Sequence, residues 1–216
     1  MGMFLNSIEP YDKYKTITKG LYFVDKTELL EELIPALEQE QRFFCITRPR
    51  RFGKTVMANM IASFFEKSEG GSDIFDRLKI SEYPKYKEHL NKHDVVYIDF
   101  SEMPKECDSY KKYISRIEEG IYYDLREKYS DLYLKQEDAI WDIFSKIFNE
   151  TKKKFIFVMD EWDAVFHMSF MTEKNREDYL LFLKLLLKGQ SYVELAYMTG
   201  VLPIAKYSDG SELNMF

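Results

Sequence analysis

The chain has 216 residues, of which 45% are hydrophobic and 31% are charged, which is enough apolar content for one globular domain with a full core. Its net charge of −6 and pI near 5.3 exclude a globally basic, nucleic-acid-binding surface. Two cysteines form neither a disulfide framework nor a metal-binding pattern. Neither a signal-peptide pattern nor an apolar run of the roughly 20 residues needed to span a bilayer occurs, so we expect a cytoplasmic protein without a membrane partner.

The first 20 residues are polar and rich in Tyr and Lys, and we predict an irregular N-terminal segment there. Helix signals begin after Asp25, and Glu28 three residues later resembles a capping arrangement. Pro35 is expected to break or kink that helix. The domain organisation we predict is therefore an irregular segment over 1–20 and a single domain over 21–216.

A phosphate-binding loop is the interpretation favoured by residues 43–55. An apolar strand over 43–47 leads through a turn to Gly53-Lys54-Thr55, which open an amphipathic helix, and free backbone N–H groups at such a helix start meet an anion. In such loops the lysine, here Lys54, reaches the β- and γ-phosphates, and the Thr55 hydroxyl is a ligand of Mg²⁺. The predicted nucleotide-binding residues of this loop are Arg48, Pro49, Arg50, Arg51, Phe52, Gly53, Lys54 and Thr55.

The loop departs from the general pattern G-x-x-x-x-G-K-[ST], because Arg48 holds the position of the first glycine. Pro49 fixes its own φ and favours an extended Arg48. By the motif alone, a basic turn before a helix remains an alternative. The arginines at 48, 50 and 51 have two possible roles, clamping phosphates or contacting a neighbouring subunit or domain.

The remaining pattern alternates strands with helices. Strands are predicted over 95–100, 155–159 and 193–199, and helices over 108–130, 137–149 and 174–188, the last ending at Gly189. Strands separated by helices indicate parallel pairing with right-handed crossovers. The fold class we predict is α/β, a three-layer α/β/α sandwich with a mostly parallel sheet.

Two adjacent carboxylates, Asp160 and Glu161, follow the strand over 155–159 as in a Walker B segment. We expect Asp160 to hold Mg²⁺ through water, and Glu161 to orient and deprotonate the attacking water. Asp163 either supports this cluster or caps the following turn. Thr199, at the end of the last strand, either senses the γ-phosphate or bonds the backbone.

Four strings in this order resemble a known family, the bacterial AAA-ATPase-like proteins, whose members typically read VDKT, RPRRFGK[ST], DEYD and TGV. The resemblance runs from about Leu21 to the last residue, and the missing first glycine of the loop is normal in this family. Trp162 stands where Tyr is commoner. The strings are Val24-Asp25-Lys26-Thr27, Arg48-Pro49-Arg50-Arg51-Phe52-Gly53-Lys54-Thr55, Asp160-Glu161-Trp162-Asp163 and Thr199-Gly200-Val201.

The resemblance implies an ATP-binding, Mg²⁺-dependent P-loop nucleoside triphosphatase or molecular switch, in which water attacks the γ-phosphate in line. It also implies that Asp25, Lys26 and Thr27 border the base and ribose. The implied strand order is 43–47, 193–199, 155–159, 95–100. Family members usually continue into a fifth core strand, a helical segment and often a C-terminal PD-(D/E)XK nuclease-type domain. We therefore expect this chain to be truncated before that strand, with a protein partner or self-association involving the missing region.

Two other functions compete with an ATPase. One is a nucleotide-gated interaction module with little turnover, which uses ATP to regulate a partner or a nuclease domain. The other is a nucleic-acid-binding protein that uses the arginines of the loop. The acidic net charge argues against nucleic acid as a partner for this chain alone.

Overall fold

The computed structural model describes residues 2–39, 41–67, 74–204 and 213–216. Short 3₁₀ helices cover Phe75–Arg77, Lys79–Glu82 and Ala164–His167. The strands are β1 (Phe43–Thr47), β2 (Asp94–Asp99), β3 (Phe155–Asp160) and β4 (Val193–Gly200). The helices are α1 (Ile8–Thr18), α2 (Leu29–Ala36), α3 (Lys54–Phe65), α4 (Tyr86–His89), α5 (Tyr110–Lys128), α6 (Ile140–Thr151) and α7 (Glu173–Leu187).

The four strands form one sheet in the order β1-β4-β3-β2, and every pair within it is parallel. Thr47 pairs with Gly200 at one end of β4, and Asp99 pairs with Asp160 across β2 and β3. Because the strands are parallel, their carboxyl ends meet at the same edge of the sheet. The strand order implied by the family resemblance is confirmed.

Helices cover both faces of the sheet, and alternate residues of β3 show how the layers are built. Phe157 and Met159 belong to the core formed with α5, α6 and α7, whereas Ile156 and Val158 belong to the core formed with α2 and α3. Strands buried on both faces read as continuous apolar runs, which explains the clear strand signal over 155–159. The predicted α/β sandwich is confirmed.

The edge strand β2 is covered by the N-terminal segment. Leu5 forms an antiparallel bridge with Val96, and the N–H of Tyr97 donates to the carbonyl of Phe4 at 2.8 Å. Asp124 on α5 holds this segment from the other side, since its carboxylate accepts the N–H groups of residues 3, 4 and 5 at 3.0, 2.7 and 2.9 Å. Residues 4–6 therefore cover this edge of the sheet.

The prediction of an irregular segment over 1–20 is wrong, because α1 occupies Ile8–Thr18. Ser7 caps this helix by accepting the N–H of Glu9, and only Pro10 and Tyr14 of the helix are buried. Two buried residues in eleven give too narrow an apolar face for a periodic signal, so the helix depends on its packing against α3.

The capping arrangement predicted for α2 does not form. Asp25 accepts the N–H and hydroxyl of Thr27 instead, and Glu28 pairs with the ammonium of Lys79 at 2.8 Å. Pro35 lies in the last turn of α2. No helix in the described ranges is long and apolar enough to cross a membrane.

Candidate nucleotide-binding site

The loop between β1 and α3 leads directly into the helix start at Lys54. The residue before it, Gly53, has φ 75° and ψ 18°, a left-handed conformation that glycine adopts without the penalty of a side chain. No side chain of the described residues caps this end of α3. Its first N–H groups therefore point, together with the positive end of the helix dipole, to a place where an anion is stabilised.

Lys54 lies inside the loop rather than on the surface, with 7% of its area exposed. Its ammonium donates to the carbonyl of Arg48 at 3.0 Å and to that of Pro49 at 3.2 Å. An exposed lysine at the start of a helix would make neither contact. The loop backbone thus surrounds the Lys54 ammonium, the group that the sequence predicts to contact phosphate.

The cationic side chains of the loop face solvent. Arg48, Arg50 and Arg51 are exposed, and so is Phe52, at 65%. None of the ion pairs found in the described parts of the chain involves these three arginines. Arg51 has φ 68°, a left-handed conformation that is unusual for a residue with a side chain. The loop therefore presents uncompensated positive charge beside the start of α3.

Asp160 and Glu161 lie at the carboxyl end of β3, joined through Thr199 of β4. The Thr199 hydroxyl donates to Oδ1 of Asp160 and accepts the backbone N–H of Glu161 at 3.2 Å. Asp160 is fully buried, and its Oδ2 has no hydrogen-bond partner among the described residues. A buried carboxylate oxygen without a partner is costly, and a hard cation is one group that satisfies it.

The pKa values of both carboxyls are raised above their ordinary range. Burial is the main cause for Asp160, and the hydroxyls of Thr199 and Thr55 act in the opposite direction. Burial also leads for Glu161, followed by repulsion from Asp160 and Asp99, while Lys54 favours its charged form. The loop and the carboxylates are therefore near enough to influence each other, and negative charge accumulates at the end of β3.

Asp99 is a member of this acidic cluster that the sequence analysis missed. It ends β2 and pairs in register with Asp160, so the two carboxyls lie at the same edge of the sheet. Its Oδ1 accepts the N–H and hydroxyl of Ser101 at 2.9 and 2.6 Å. The available signal was a carboxylate at the end of a predicted strand, but its importance depends on β2 being the neighbour of β3.

Asp163 ties the end of β3 to the end of β4. Its carboxylate accepts the N–H of Val201 at 3.0 Å and of Leu202 at 2.7 Å, so the alternative that it caps the following turn is not realised. A Cβ on Gly200 would overlap the indole of Trp162. The strings DEWD and TGV are thus parts of one packed structure.

The residues of the VDKT string make two kinds of contact: Asp25 and Thr27 form internal hydrogen bonds, and Lys26 lines a cavity. Both oxygens of Asp25 are used within the protein, by Thr27 and by the N–H of Lys79 at 2.7 Å, and the Thr27 hydroxyl accepts the N–H of Ile80 at 3.1 Å. Lys26 instead lines a cavity that also contacts Gly53. The structure therefore assigns Asp25 a structural contact, and its role in binding a nucleotide stays a prediction.

The donor set fits magnesium. Mg²⁺ is usually held by one or two protein oxygens together with water and substrate phosphates, and Asp160 and Thr55 supply such oxygens. Within the described ranges, no group of three or more His, Cys, Asp or Glu side chains is arranged to hold a metal by itself. A metal at this site would depend on ligands from the substrate and solvent.

Together, the parallel sheet, the lysine-bearing loop at the end of β1 and the carboxylates at the end of β3 define a P-loop NTPase-like α/β protein. The chain belongs to the AAA-ATPase-like family, because the family model described as "Predicted AAA-ATPase" matches residues 8–208. Nucleotide binding is the property associated with this family. No curated protein and no solved structure matches the chain.

Proposed function

We propose that the protein binds ATP and Mg²⁺ and hydrolyses the γ-phosphate bond by in-line attack of water. The observation that carries this proposal is geometric. The buried Lys54 in the loop after β1 and the carboxylates at the end of β3 flank the end of β4, at the same edge of one parallel sheet. The charge of Lys54 and the hydroxyl of Thr55 act on the pKa values of Glu161 and Asp160 against the larger effect of burial. A phosphate-binding loop and a pair of carboxylates placed in this way provide the positioning and the charge that phosphoryl transfer requires.

The loop is the triphosphate-binding part of the proposed site. The N–H groups at the start of α3 would bind phosphate oxygens, and Lys54 would turn from its two loop carbonyls towards the β- and γ-phosphates. Arg48, Arg50 and Arg51 add positive charge around the same point. The loop cations stabilise the charge that develops in the transition state.

Asp160 and Thr55 would hold Mg²⁺, Asp160 through water. When bound, the ion would neutralise the charge that develops on the phosphate oxygens. The protein's contribution is to fix the oxygen donors. The Thr199 hydroxyl holds Oδ1 of Asp160, and Oδ2 stays available for the ion.

Glu161 is the proposed general base. Its backbone has φ 50°, a strained left-handed conformation, and its N–H is held by Thr199. Its raised pKa brings its proton affinity closer to that required at neutral pH. Because the only proton of the Thr199 hydroxyl is already used on Asp160, we propose that Thr199 positions the Asp160 carboxyl and the Glu161 backbone rather than sensing the γ-phosphate directly.

Isothermal titration with a non-hydrolysable ATP analogue and Mg²⁺ tests the site. Lys54→Ala is expected to abolish binding because it removes the cation at the phosphates, whereas Lys111→Ala, at an exposed lysine on α5, is expected to bind like the parent. A folded parent that binds no nucleotide would contradict the proposal.

Steady-state and single-turnover phosphate release then test the chemistry. Glu161→Gln is expected to retain nucleotide and to lose about 10²–10⁴-fold in turnover, the usual contribution of a general base. Glu150→Gln, an exposed change at the end of α6, serves as the control. A Glu161→Gln variant that turns over at the parent rate would remove the assigned role. Stoichiometric retention by the parent without multiple turnovers would identify a nucleotide-gated interaction module instead.

A further inference from the structure

Lysines gather at the edge of the sheet opposite to the candidate nucleotide-binding site. The four strands are parallel, so their amino ends share one edge, just as their carboxyl ends share the other. Asp94 at the start of β2 pairs with Phe155 at the start of β3, so the residues that precede these two strands come to the same place. Those residues include four exposed lysines, which we call the lysine edge: Lys92, Lys152, Lys153 and Lys154.

The charge of the lysine edge is not compensated by ion pairs. None of the ion pairs within the described residues involves its four lysines. Two buried carboxyls lie at the same edge, but neither offsets this charge. Asp94 is paired with Lys67 at 3.8 Å and with Lys128. Burial raises the pKa of Glu66 to about 8, so this carboxyl is mostly protonated at neutral pH.

Other carboxylates of this region are fewer than the lysines. Glu127 and Glu150, near the ends of α5 and α6, are exposed. Glu194 is half-buried and lies 3.0 Å from Nδ1 of His93. The lysine edge therefore keeps a local excess of positive charge in a protein whose net charge is −6.

The helix dipole explains one of the four lysines. A cation directly after the end of a helix is stabilised by the dipole, and this effect fades beyond the last turn. Lys152 is in this position, because α6 ends at Thr151 and the N–H of Lys152 donates to the carbonyl of Phe148 at 2.8 Å. Lys154 lies further along, directly before β3, and Lys92 belongs to the turn before β2. Their positions serve no helix end.

The composition of the lysine edge indicates the kind of partner. The centres of protein–protein interfaces are enriched in aromatic side chains and depleted of lysine, whereas lysine charges bind phosphate backbones. None of the exposed large hydrophobic side chains in the described ranges lies within 91–93 or 151–154. Single-stranded nucleic acid is bound by stacking bases on accessible aromatic rings, which these two segments do not offer. A double-stranded phosphate backbone fits this surface best.

We propose that the lysine edge binds the phosphate backbone of double-stranded nucleic acid without sequence preference. Neighbouring strands lie about 4.8 Å apart, so lysines from two connections can contact successive phosphates of one backbone. The net negative charge does not oppose this contact, because Asp99, Asp160 and Glu161 lie at the opposite edge. The inference is independent of the proposed nucleotide-binding function, since the two surfaces are at opposite ends of the strands.

Fluorescence anisotropy with a short labelled DNA duplex of mixed sequence, titrated at several salt concentrations, tests the inference. About three to four phosphate contacts predict a slope of about −3 in log K against log salt, and binding about 40- to 150-fold weaker at 200 mM than at 50 mM salt. Lys154→Gln should make the slope shallower by about 1. The triple variant Lys92→Gln/Lys153→Gln/Lys154→Gln should lose measurable binding at 200 mM salt.

A matched triple variant removes the same charge from exposed lysines that follow the carboxyl ends of β2 and β3, and it is expected to bind like the parent: Lys105→Gln/Lys111→Gln/Lys174→Gln. Equal losses in the two triple variants would overturn the inference, as would a parent that binds no duplex at 50 mM salt. Tighter binding of the single strand, or binding of polyglutamate or anionic lipid vesicles in place of DNA, would also contradict it. The ATP analogue with Mg²⁺ should not displace the duplex, and displacement would place the DNA at the loop instead.

Discussion

Single residues in this protein couple distant parts of the chain, and Thr199 does so at the candidate site. One hydroxyl contacts the carboxylate of Asp160 and the backbone of Glu161, although it comes from a different strand. A hydroxyl in this position can donate once and accept twice, so its donor is already committed. From the sequence, Thr199 could either sense the γ-phosphate or bond the backbone. The structure shows its partners to be the Asp160 carboxylate and the Glu161 backbone N–H.

Glu66 carries a pH dependence that is separate from the candidate site. It directly follows α3, is 3% exposed, and its Oε1 has no hydrogen-bond partner among the described residues. Burial raises the pKa of this carboxyl to about 8, against a smaller opposite effect from Lys128. The folded state thus favours the protonated form, so the stabilisation is fully present below an ordinary pKa near 4.5 and is lost as the pH rises to about 8.

Glu66→Gln imitates the protonated carboxyl and is expected to remove this loss. The variant should exceed the parent in free energy of unfolding at pH 9, by a few kcal/mol at most, and should match it near pH 4.5. Urea denaturation at pH 4.5, 7 and 9 measures the difference, with the exposed change Glu150→Gln as control. Parallel pH profiles for parent and Glu66→Gln would show that Glu66 is not buried in its charged form at high pH.

At the scale of elements, the N-terminal segment is a stabilising addition to the sheet. Asp124 holds it through three N–H groups, and Leu5 reaches the backbone of Val96 in β2. Phe4 and Leu5 are buried as a consequence, at 4% and 3%. The segment protects the β2 edge, which would otherwise expose unpaired backbone groups.

Asp124→Ala is expected to release this segment and to lower the free energy of unfolding by about 2–3 kcal/mol, because hydrogen bonds to a charged acceptor are lost together. Urea denaturation measures the loss, and limited proteolysis should show earlier cleavage near the N-terminus. Asp131→Ala, at an exposed aspartate in the turn after α5, should change neither readout. Unaltered protease resistance in Asp124→Ala would mean that burial of Phe4 and Leu5 is sufficient to hold the segment.

For the whole molecule, the candidate site joins residues from the ends of β1, β2, β3 and β4, so a bound nucleotide should stabilise the entire domain. At a free ligand concentration of 100 times Kd, linkage supplies about 2.7 kcal/mol. For a protein of this size the midpoint temperature should rise by about 5–10 °C.

Thermal denaturation with the ATP analogue and Mg²⁺ measures this shift. EDTA should reduce the shift in midpoint temperature, because removal of Mg²⁺ leaves the phosphate charge of the ligand uncompensated. Lys54→Ala should show no shift in either buffer, whereas Lys111→Ala should follow the parent. An equal shift in Lys54→Ala would place the ligand outside the loop.

Much of the fold was predictable because its determinants are local. The apolar runs of β2 and β3 and the helical periods of α5 and α6 depend on neighbours in sequence, and the structure confirms these elements within a few residues. α1 was missed because its stability comes from contact with α3 rather than from its own pattern. The candidate site was predictable to the extent that its residues lie in short strings such as Gly53-Lys54-Thr55.

The sequence by itself determined the class of the protein, since a loop string and a strand ending in two carboxylates each occupy a few adjacent residues. Only the tertiary structure decided which distant groups meet: Asp99 beside Asp160, Thr199 between Asp160 and Glu161, and Lys92 at the same edge as Lys154. The physical reason is that such contacts depend on strand order, register and helix packing. These properties are set by the burial of the whole chain, and no local pattern encodes them.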